Sequence, residues 1–516
     1  MLVAGSAVAD STSVWDGQIR MGGIVKDETG DKSVMQETFN VYEGFSVTSL
    51  YLQGRFNPRT HLRFDLNDIN LDDRNGQLEF RRSGVFSLRS RYDESRFVFD
   101  PVGALDASRK DFWSRLSLTP TKWFWLAADY NLQTREGDRL GYPSGVQSAL
   151  GTRYDSDLNR YRVEAQMRAS SGIGGTIAVD GVDLTDNLSA LNGREGRVYS
   201  ANVHVPGVFY DRLTHVVRAS LGRNELKESG LGYDVTTVQY TGLLAPWPAL
   251  RAKYRFYGGQ VEDEATDLQT NRYIHDGDVE VRYRIATLSG GYGWEAWDDD
   301  RSVTTYDNIR AALALRDPGD KVTARFAWST RNKEDEEDIT LLRDTEYARW
   351  DARIDTKPVT GITVGGRFAE RTREMPDVGA QADGFYASAY GRYDRQFSGD
   401  SGVDAAHVEL SYQYSDDDYD NAVGAYHVKS NFVTGRVHAD VFDKVKAGAG
   451  VTFMSISEDL DIDKSILSFD LGYALPRGFS VDAKYNVYNY DDYLVDGRYY
   501  TANVVWVNVG YEFSTE

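Results

Sequence analysis

The most constraining feature of this chain is a two-residue period that persists for about ten residues at a time. Residues 160–169 read RYRVEAQMRA. Arg160, Arg162, Glu164, Gln166 and Arg168 fall on one face of such a segment, and Tyr161, Val163, Ala165, Met167 and Ala169 on the other. The pattern recurs. Leu250, Ala252, Tyr254 and Phe256 alternate with Arg251, Lys253, Arg255 and Tyr257; Val279, Val281, Tyr283 and Ile285 alternate with Glu280, Arg282 and Arg284. Further along, Arg310 opposes Ile309 and Ala311, Arg325 opposes Ala324 and Phe326, and Ser480, Asp482 and Lys484 oppose Phe479, Val481 and Ala483.

Strands of soluble sheets average roughly five or six residues, whereas about ten are needed to cross a bilayer at a tilt. The polar face is also too charged to be a core, so it must be wet while the apolar face is covered by something else. Apolar outside and wet inside is the arrangement of a transmembrane barrel. The hydrophobic fraction is only 41 %, and the apolar runs are far too short for a membrane helix, which needs about 20 residues. In a barrel the two faces cancel in any window average, so low hydropathy is no objection.

Turn signals order the strands. They fall at Asn57-Pro58, Ser83-Gly84, Pro120, Ser171-Gly172, Pro206-Gly207, Pro246, Ala286 to Gly290, Pro318-Gly319, Pro358, Ser398-Gly399, Phe442 to Lys444 and Pro476 to Gly478. From Pro206 onward the spacing is roughly 40 residues, one strand, a longer polar segment and a second strand per repeat. The reading is an all-β, antiparallel, up-and-down transmembrane β-barrel of about 26 strands (24 to 28), with both termini periplasmic and the longer segments outside the cell. Residues 1–9, MLVAGSAVA, end in a small-residue cleavage pattern and read as the remnant of a signal peptide. Residues 10–516 then form one barrel domain in the outer membrane of a Gram-negative cell. Val505, Val507, Val509, Tyr511 and Phe513 make a last apolar face, and Val509, Tyr511 and Phe513 are the candidate barrel-insertion signal. Trp123, Trp125, Phe209, Tyr210 and Trp247 stand beside turns and read as an interfacial girdle.

Residues 64–93 read FDLNDINLDDRNGQLEFRRSGVFSLRSRYD. This segment resembles the recurring early segment of the MtrB/PioB family, the outer-membrane barrels associated with decahaem cytochromes. The matching positions are Asn70, Leu71, Asp73, Arg74, Gly84, Tyr92, Asp93 and Glu94. The chain departs from many members in lacking a Cys-x-x-Cys near the start, and it is short for the family. The resemblance implies a sheath that holds a multihaem c-type cytochrome across the outer membrane for extracellular electron transfer, with an extracellular cytochrome as a possible further partner.

The chain contains no cysteine, which excludes disulfides, thiolate metal sites and covalent haem attachment. The expectation is therefore no cofactor of its own, with haem carried by the partner. A net charge of −21 argues against nucleic acid, whose phosphates it would repel. The seven histidines, His61, His204, His215, His275, His407, His427 and His438, show no metal-ligand spacing, and no catalytic constellation is legible; a non-enzyme is expected. Acidic runs at Asp298 to Asp300, Glu334 to Asp338, Asp416 to Asp420 and Glu458 to Asp463 read as exterior loop tips, with Ca²⁺ binding as the alternative. The candidate lumen-facing residues are Arg160, Arg162, Arg168, Arg218, Arg251, Arg255, Arg282, Arg284, Arg310, Arg325, Arg349, Arg353 and Arg367. In a sheath they would pair with an acidic or propionate-bearing guest, in a bare pore they would favour anions, and in either they would brace the wall against neighbouring carboxylates. A general or substrate-specific porin is the alternative function. A porin would need an inward-folded loop, for which 136–156 and 185–195 are the candidates.

Overall fold

A computed structural model of the chain describes residues 14–35, 38, 40–99, 106–138, 153–188, 193–207, 212–299, 302–335, 344–397, 402–421, 424–495 and 497–515. The expected signal remnant, the Ser398-Gly399 turn and Phe209-Tyr210 lie outside these residues. Alternation becomes a closed wall of 26 strands, each antiparallel to the next in sequence. The seam joins β1 (Val14–Gly30) to β26 (Tyr499–Thr515), in register from Trp15↔Thr515 to Gly30↔Tyr500. The start of β1 and the end of β26 therefore lie at one end of the barrel. Closure leaves no unpaired strand edge, which is what a β-structure in hydrocarbon requires. No helix among the described residues is long and apolar enough to cross a membrane.

Large apolar side chains such as Val163, Leu221, Leu313, Leu410, Phe469 and Leu471 are exposed, all on one face of the wall. Only lipid can cover such a band, so the charged face lines the interior. The chain is a β-barrel of the Gram-negative outer membrane. Val509, Tyr511 and Phe513 stand on the lipid face of β26; Tyr511 packs on Phe479 at 4.8 Å and on Phe513 at 6.2 Å between ring centroids. Trp123 and Trp247 are exposed beside their turns. Trp125 is not part of that girdle, because Arg115 lies over its ring at 5.3 Å on the charged face. Its position one residue out of phase with the apolar row puts it there.

Strand length is uneven. β3 (Thr60–Asn67) and β4 (Asn75–Arg82) have 8 residues each, whereas β20 (Ala380–Gln396), β21 (Val403–Asn421) and β22 (Gly424–Val441) have 17, 19 and 18. About ten suffice to cross the bilayer, so the rim is low at β3–β4 and high at β20–β22. This corrects the placing of the acidic runs in loops. Asp416 to Asp420 lies within β21, and Asp298, Asp299, Glu334, Asp335 and Glu458 are also strand residues. Ladder pairing continues past the membrane and leaves little chain for loops there. A second correction concerns the turn expected at Ala286 to Gly290. Those residues open β15 (Ala286–Asp299), and the turn is Arg284-Ile285, with Arg284 in the left-handed region at φ 50°.

The low rim is filled from within. The connector 31–43, which opens with a 3-10 turn at Lys32–Val34, packs Met35 and Val41 against Ile24, Leu71, Tyr488, Tyr490, Tyr500, Ala502 and Val504. Ile24, Tyr488, Tyr490, Tyr500, Ala502 and Val504 belong to the interior rows of β1, β25 (Phe479–Asp492) and β26, Leu71 to the connector after β3, and together they form a small apolar core inside the barrel. The hydroxyls of Thr38 and Tyr500 are hydrogen-bonded, and Tyr500 also donates to Glu28 at 2.8 Å.

Candidate site: the basic track of the inner wall

Twelve of the thirteen singled-out arginines stand on the charged face, because each shares strand parity with its charged neighbours and opposes the apolar row. Arg284 does not; it lies in the β14–β15 turn, β14 being Leu268–Tyr283, and its guanidinium sits over the Tyr283 ring at 5.2 Å. Seven of the twelve are held by carboxylates. Arg162 binds Asp180 and Glu164, each at 2.9 Å, Arg282 binds Glu280 at 2.7 Å, and Arg353 binds Asp355 at 2.8 Å. Arg349 and Arg367 share Asp351, at 3.4 and 2.5 Å. Arg255, from β13 (Leu250–Asp263), and Arg310, from β16 (Val303–Arg316), converge on Asp276. Arg310 also reaches Asp278 at 2.8 Å. Arg160, Arg168, Arg218, Arg251 and Arg325 have no side-chain partner among the described residues.

Arg310 reaches β14 across the whole width of β15, and Gly291 makes that possible. A Cβ there would stand 2.3 Å from Asp278 Oδ1 and 3.0 Å from Arg310 Nη2. The same device recurs higher on the wall. Arg371, from β19 (Ile362–Met375), bridges to Asp417 of β21 at 2.8 Å over Gly384 of β20, where a Cβ would meet Arg371 Nε at 2.4 Å. Such bridges couple alternate strands, and together with the other carboxylate-paired arginines they brace the wall.

The arginines do more than brace. A hollow of ≈ 480 Å³ is lined by Asp278, Arg310, Arg325, Arg349, Asp351 and Arg367. A smaller hollow shares Arg349 and Arg367 with it and adds Tyr347, Arg371 and Asp417. A third, of ≈ 800 Å³, shares those last three and continues towards the high rim with Tyr306, Arg331, Lys333 and Arg373. Together they form one basic track that runs from β14 to β21. Within it, Arg331 stacks on Tyr306 at 4.6 Å, and Arg325 and Arg373 have no carboxylate partner among the described residues. Unpaired guanidiniums present planar forks to an incoming carboxylate or phosphate. Arg331, Lys333, Arg371 and Arg373 were not singled out from sequence, although their spacing of two on β17 (Val322–Asp335) and β19 is the same signal as elsewhere.

The residues that carry the family resemblance gather at the low rim. Asn70 accepts from Val47 N at 2.9 Å and donates to Phe45 O at 2.6 Å. Leu71 is buried in the interior cluster. Asp73 accepts from Arg96 N at 3.1 Å, Arg74 pairs with Glu94 at 2.6 Å, and Tyr92 donates to Glu94 at 2.6 Å. Gly84 takes φ 75° in the β4–β5 turn, β5 being Phe86–Val98. Arg96 further holds Asp72 and the Tyr42 hydroxyl, at 2.9 and 2.7 Å. Burial, reinforced by the hydrogen bond to Asp72, pushes the Tyr42 phenol up to about 12. The motif thus clamps the short hairpin to the connector 31–43. Of the two loops expected to fold inward, 139–152 and 189–192 lie outside the described residues; among the described residues the connector after β1 packs inward through Met35 and Val41, and its sequence is marked by Val34, Met35, Phe39 and Val41. Among the histidines, His215 and His275 hydrogen-bond the Tyr240 and Tyr254 hydroxyls, each at 2.8 Å, and His407 bonds Asp394 at 2.5 Å.

No protein-family model matches this chain, and no curated protein sequence does. Among solved structures, the FrpB iron transporter from Neisseria meningitidis (F5-1 variant) aligns over 97 % of this chain and 82 % of its own, with a TM-score of 0.51 and 8 % identity. The F3-3 variant of the same transporter aligns over 98 % and 82 %, with a TM-score of 0.50 and 8 % identity. Identity this low speaks for a shared fold alone. The chain is therefore an outer-membrane β-barrel of 26 strands with a basic track on its inner wall.

Proposed function

We propose that the barrel is a sheath that holds a multihaem c-type cytochrome across the outer membrane for extracellular electron transfer. The observation that carries this reading is the basic track of the inner wall, with Arg325 and Arg373 left without carboxylate partners among the described residues. An acidic guest, or one that presents haem propionates, would engage those guanidiniums by charge-assisted hydrogen bonds. Barrel width points the same way. Barrels of about 16–18 strands already enclose an aqueous channel, and 26 strands enclose more than a small solute requires. The likeness of residues 64–94 to the MtrB/PioB family adds support. In this reading the chain is not an enzyme and has no cofactor of its own; haem arrives bound to the partner. The end with the chain termini faces the periplasm, and an extracellular cytochrome would meet the guest at the opposite rim.

A porin for anionic solutes is the second reading. It is favoured by the same free guanidiniums together with the inward-packed connector 31–43, which narrows one side of the mouth. Purification from native outer membranes, with haem staining and a visible spectrum, separates the two. A stoichiometric haem protein retained by the barrel, and lost on Arg325→Glu with Arg373→Glu, supports the sheath. A haem-free barrel that conducts anions in planar bilayers supports the porin.

A further inference from the structure

A second cluster lies on the opposite, lipid-side face of the high rim. Phe368, Phe385 and Tyr414 pack edge-to-face there, with centroids 5.2 and 5.8 Å apart. Two residues beyond Tyr414 the outward row of β21 turns acidic, with Asp416 and then Asp418. Strands of 17 to 19 residues carry this part of the wall past the hydrocarbon. His427 of β22 stands directly across from Asp418, and Asp383 of β20 stands directly across on its other side.

The imidazole Nε2 lies 2.7 Å from Asp416 Oδ1 and 3.6 Å from Asp418 Oδ1. One donor atom from each of these three residues lies within 4.8 Å of the others. The fourth residue supplies an independent sign. Asp383 and Asp418 are like charges paired directly across a sheet, an arrangement that destabilises it. One carboxylate oxygen of Asp383 is moreover buried without a hydrogen-bond partner among the described residues, while the other accepts from Gln381 at 2.7 Å; buried acceptors are nearly always satisfied. Lys429, directly across from Asp416, pairs with Glu458 at 3.0 Å. A cation held by Asp416, Asp418 and His427 would offset the repulsion between Asp383 and Asp418.

We propose that Asp416, Asp418 and His427, with Asp383 alongside, bind a divalent first-row transition-metal ion such as Zn²⁺. An imidazole nitrogen with two carboxylate oxygens is a donor set for such ions. Ca²⁺ prefers six to eight oxygens, so it fits this set less well. Three protein ligands leave a coordination position open to water or to an anionic oxygen of a headgroup beside the rim. The site is independent of the sheath reading; its side chains belong to the outward rows, and Asp383 and Asp418 also border the hollow that holds Arg371 and Arg373.

The test uses the full-length barrel in detergent, stripped of metal, with Cu²⁺ as a spectroscopic probe and Zn²⁺ as competitor. The expected result is one Cu²⁺ per chain whose paramagnetic resonance shows coupling to a single imidazole nitrogen, displaced by Zn²⁺. His427→Ala should abolish that signal and Asp418→Asn should weaken binding at least tenfold, while His438→Ala leaves both unchanged. Heat-modifiable gel mobility confirms that each variant is a folded barrel. Absence of one-to-one binding, or nitrogen coupling that survives His427→Ala in the folded variant, overturns the proposal and leaves an imidazole–carboxylate hydrogen-bonded pair only.

Discussion

At the scale of single residues, what is missing matters as much as what is present. Gly291 contributes no side chain, and for that reason Arg310 crosses a strand to hold Asp276 and Asp278. We expect Gly291→Leu to break this bridge and destabilise the barrel by about 1–3 kcal/mol, seen as a lower urea midpoint for loss of the folded band. Gly277→Ala, where a Cβ meets nothing within 4 Å, should leave the midpoint unchanged. A second prediction concerns Asp68, in the connector after β3. Burial, with the charge of Asp73 adding to it, holds its carboxyl above the ordinary carboxylate range. The folded state therefore binds this proton more tightly than the unfolded state, so stability falls as pH rises from the unfolded value through the folded one. Asn removes the charge and suits the φ of 51° at this position. Asp68→Asn should melt higher than the parent at pH 7, by an amount within about 1 kcal/mol. The difference should vanish below the ordinary aspartate pKa of about 3.9, as thermal melts followed by circular dichroism at the two pH values would show.

At the scale of elements, the low rim is the distinctive feature. A hairpin of two 8-residue strands cannot seal its part of the wall alone, and the connector 31–43 with the 68–74 segment makes up the difference. Asn70→Ala removes two hydrogen bonds to the start of β2 (Gly44–Asn57), at a cost of about 1–3 kcal/mol. Amide exchange should speed up across 40–47 and 68–74 and stay slow in β14–β19. The strands themselves were legible from sequence, because a period of two with ten or more residues per pass has few other solutions. Turn positions were legible where Pro or Gly marks them, as at Pro58 and Gly84. They failed at Ala286 to Gly290, which opens β15, because the turn falls at Arg284-Ile285, where neither Pro nor Gly marks it. The acidic run at Asp416 to Asp420 misled for a different reason: charge reports contact with water, and a strand that outlasts the bilayer is as wet as a loop.

At the scale of the whole molecule, 26 strands closed through β1 and β26 set an interior whose chemistry decides the function. The candidate arginines were legible as a row. Their division into braces and free guanidiniums was not, since the partners of Arg310 and Arg371 lie two strands away and 32 or more residues distant in sequence. Nor was the track's extension through Arg331, Lys333 and Arg373 read, because two strands that are not neighbours, β17 and β19, bring these residues together. The Asp383–Asp416–Asp418–His427 cluster likewise needs the register of three strands. The most direct measurement is electron transfer across liposomes that contain the barrel as isolated from native membranes, with a redox dye sealed inside and a membrane-impermeant reductant outside. A sheath with its guest should reduce the dye without letting the dye escape, and stripping the haem partner should end the transfer. Leakage of the dye through a haem-free barrel, with no electron transfer to dye retained inside, would contradict the sheath and leave an open pore.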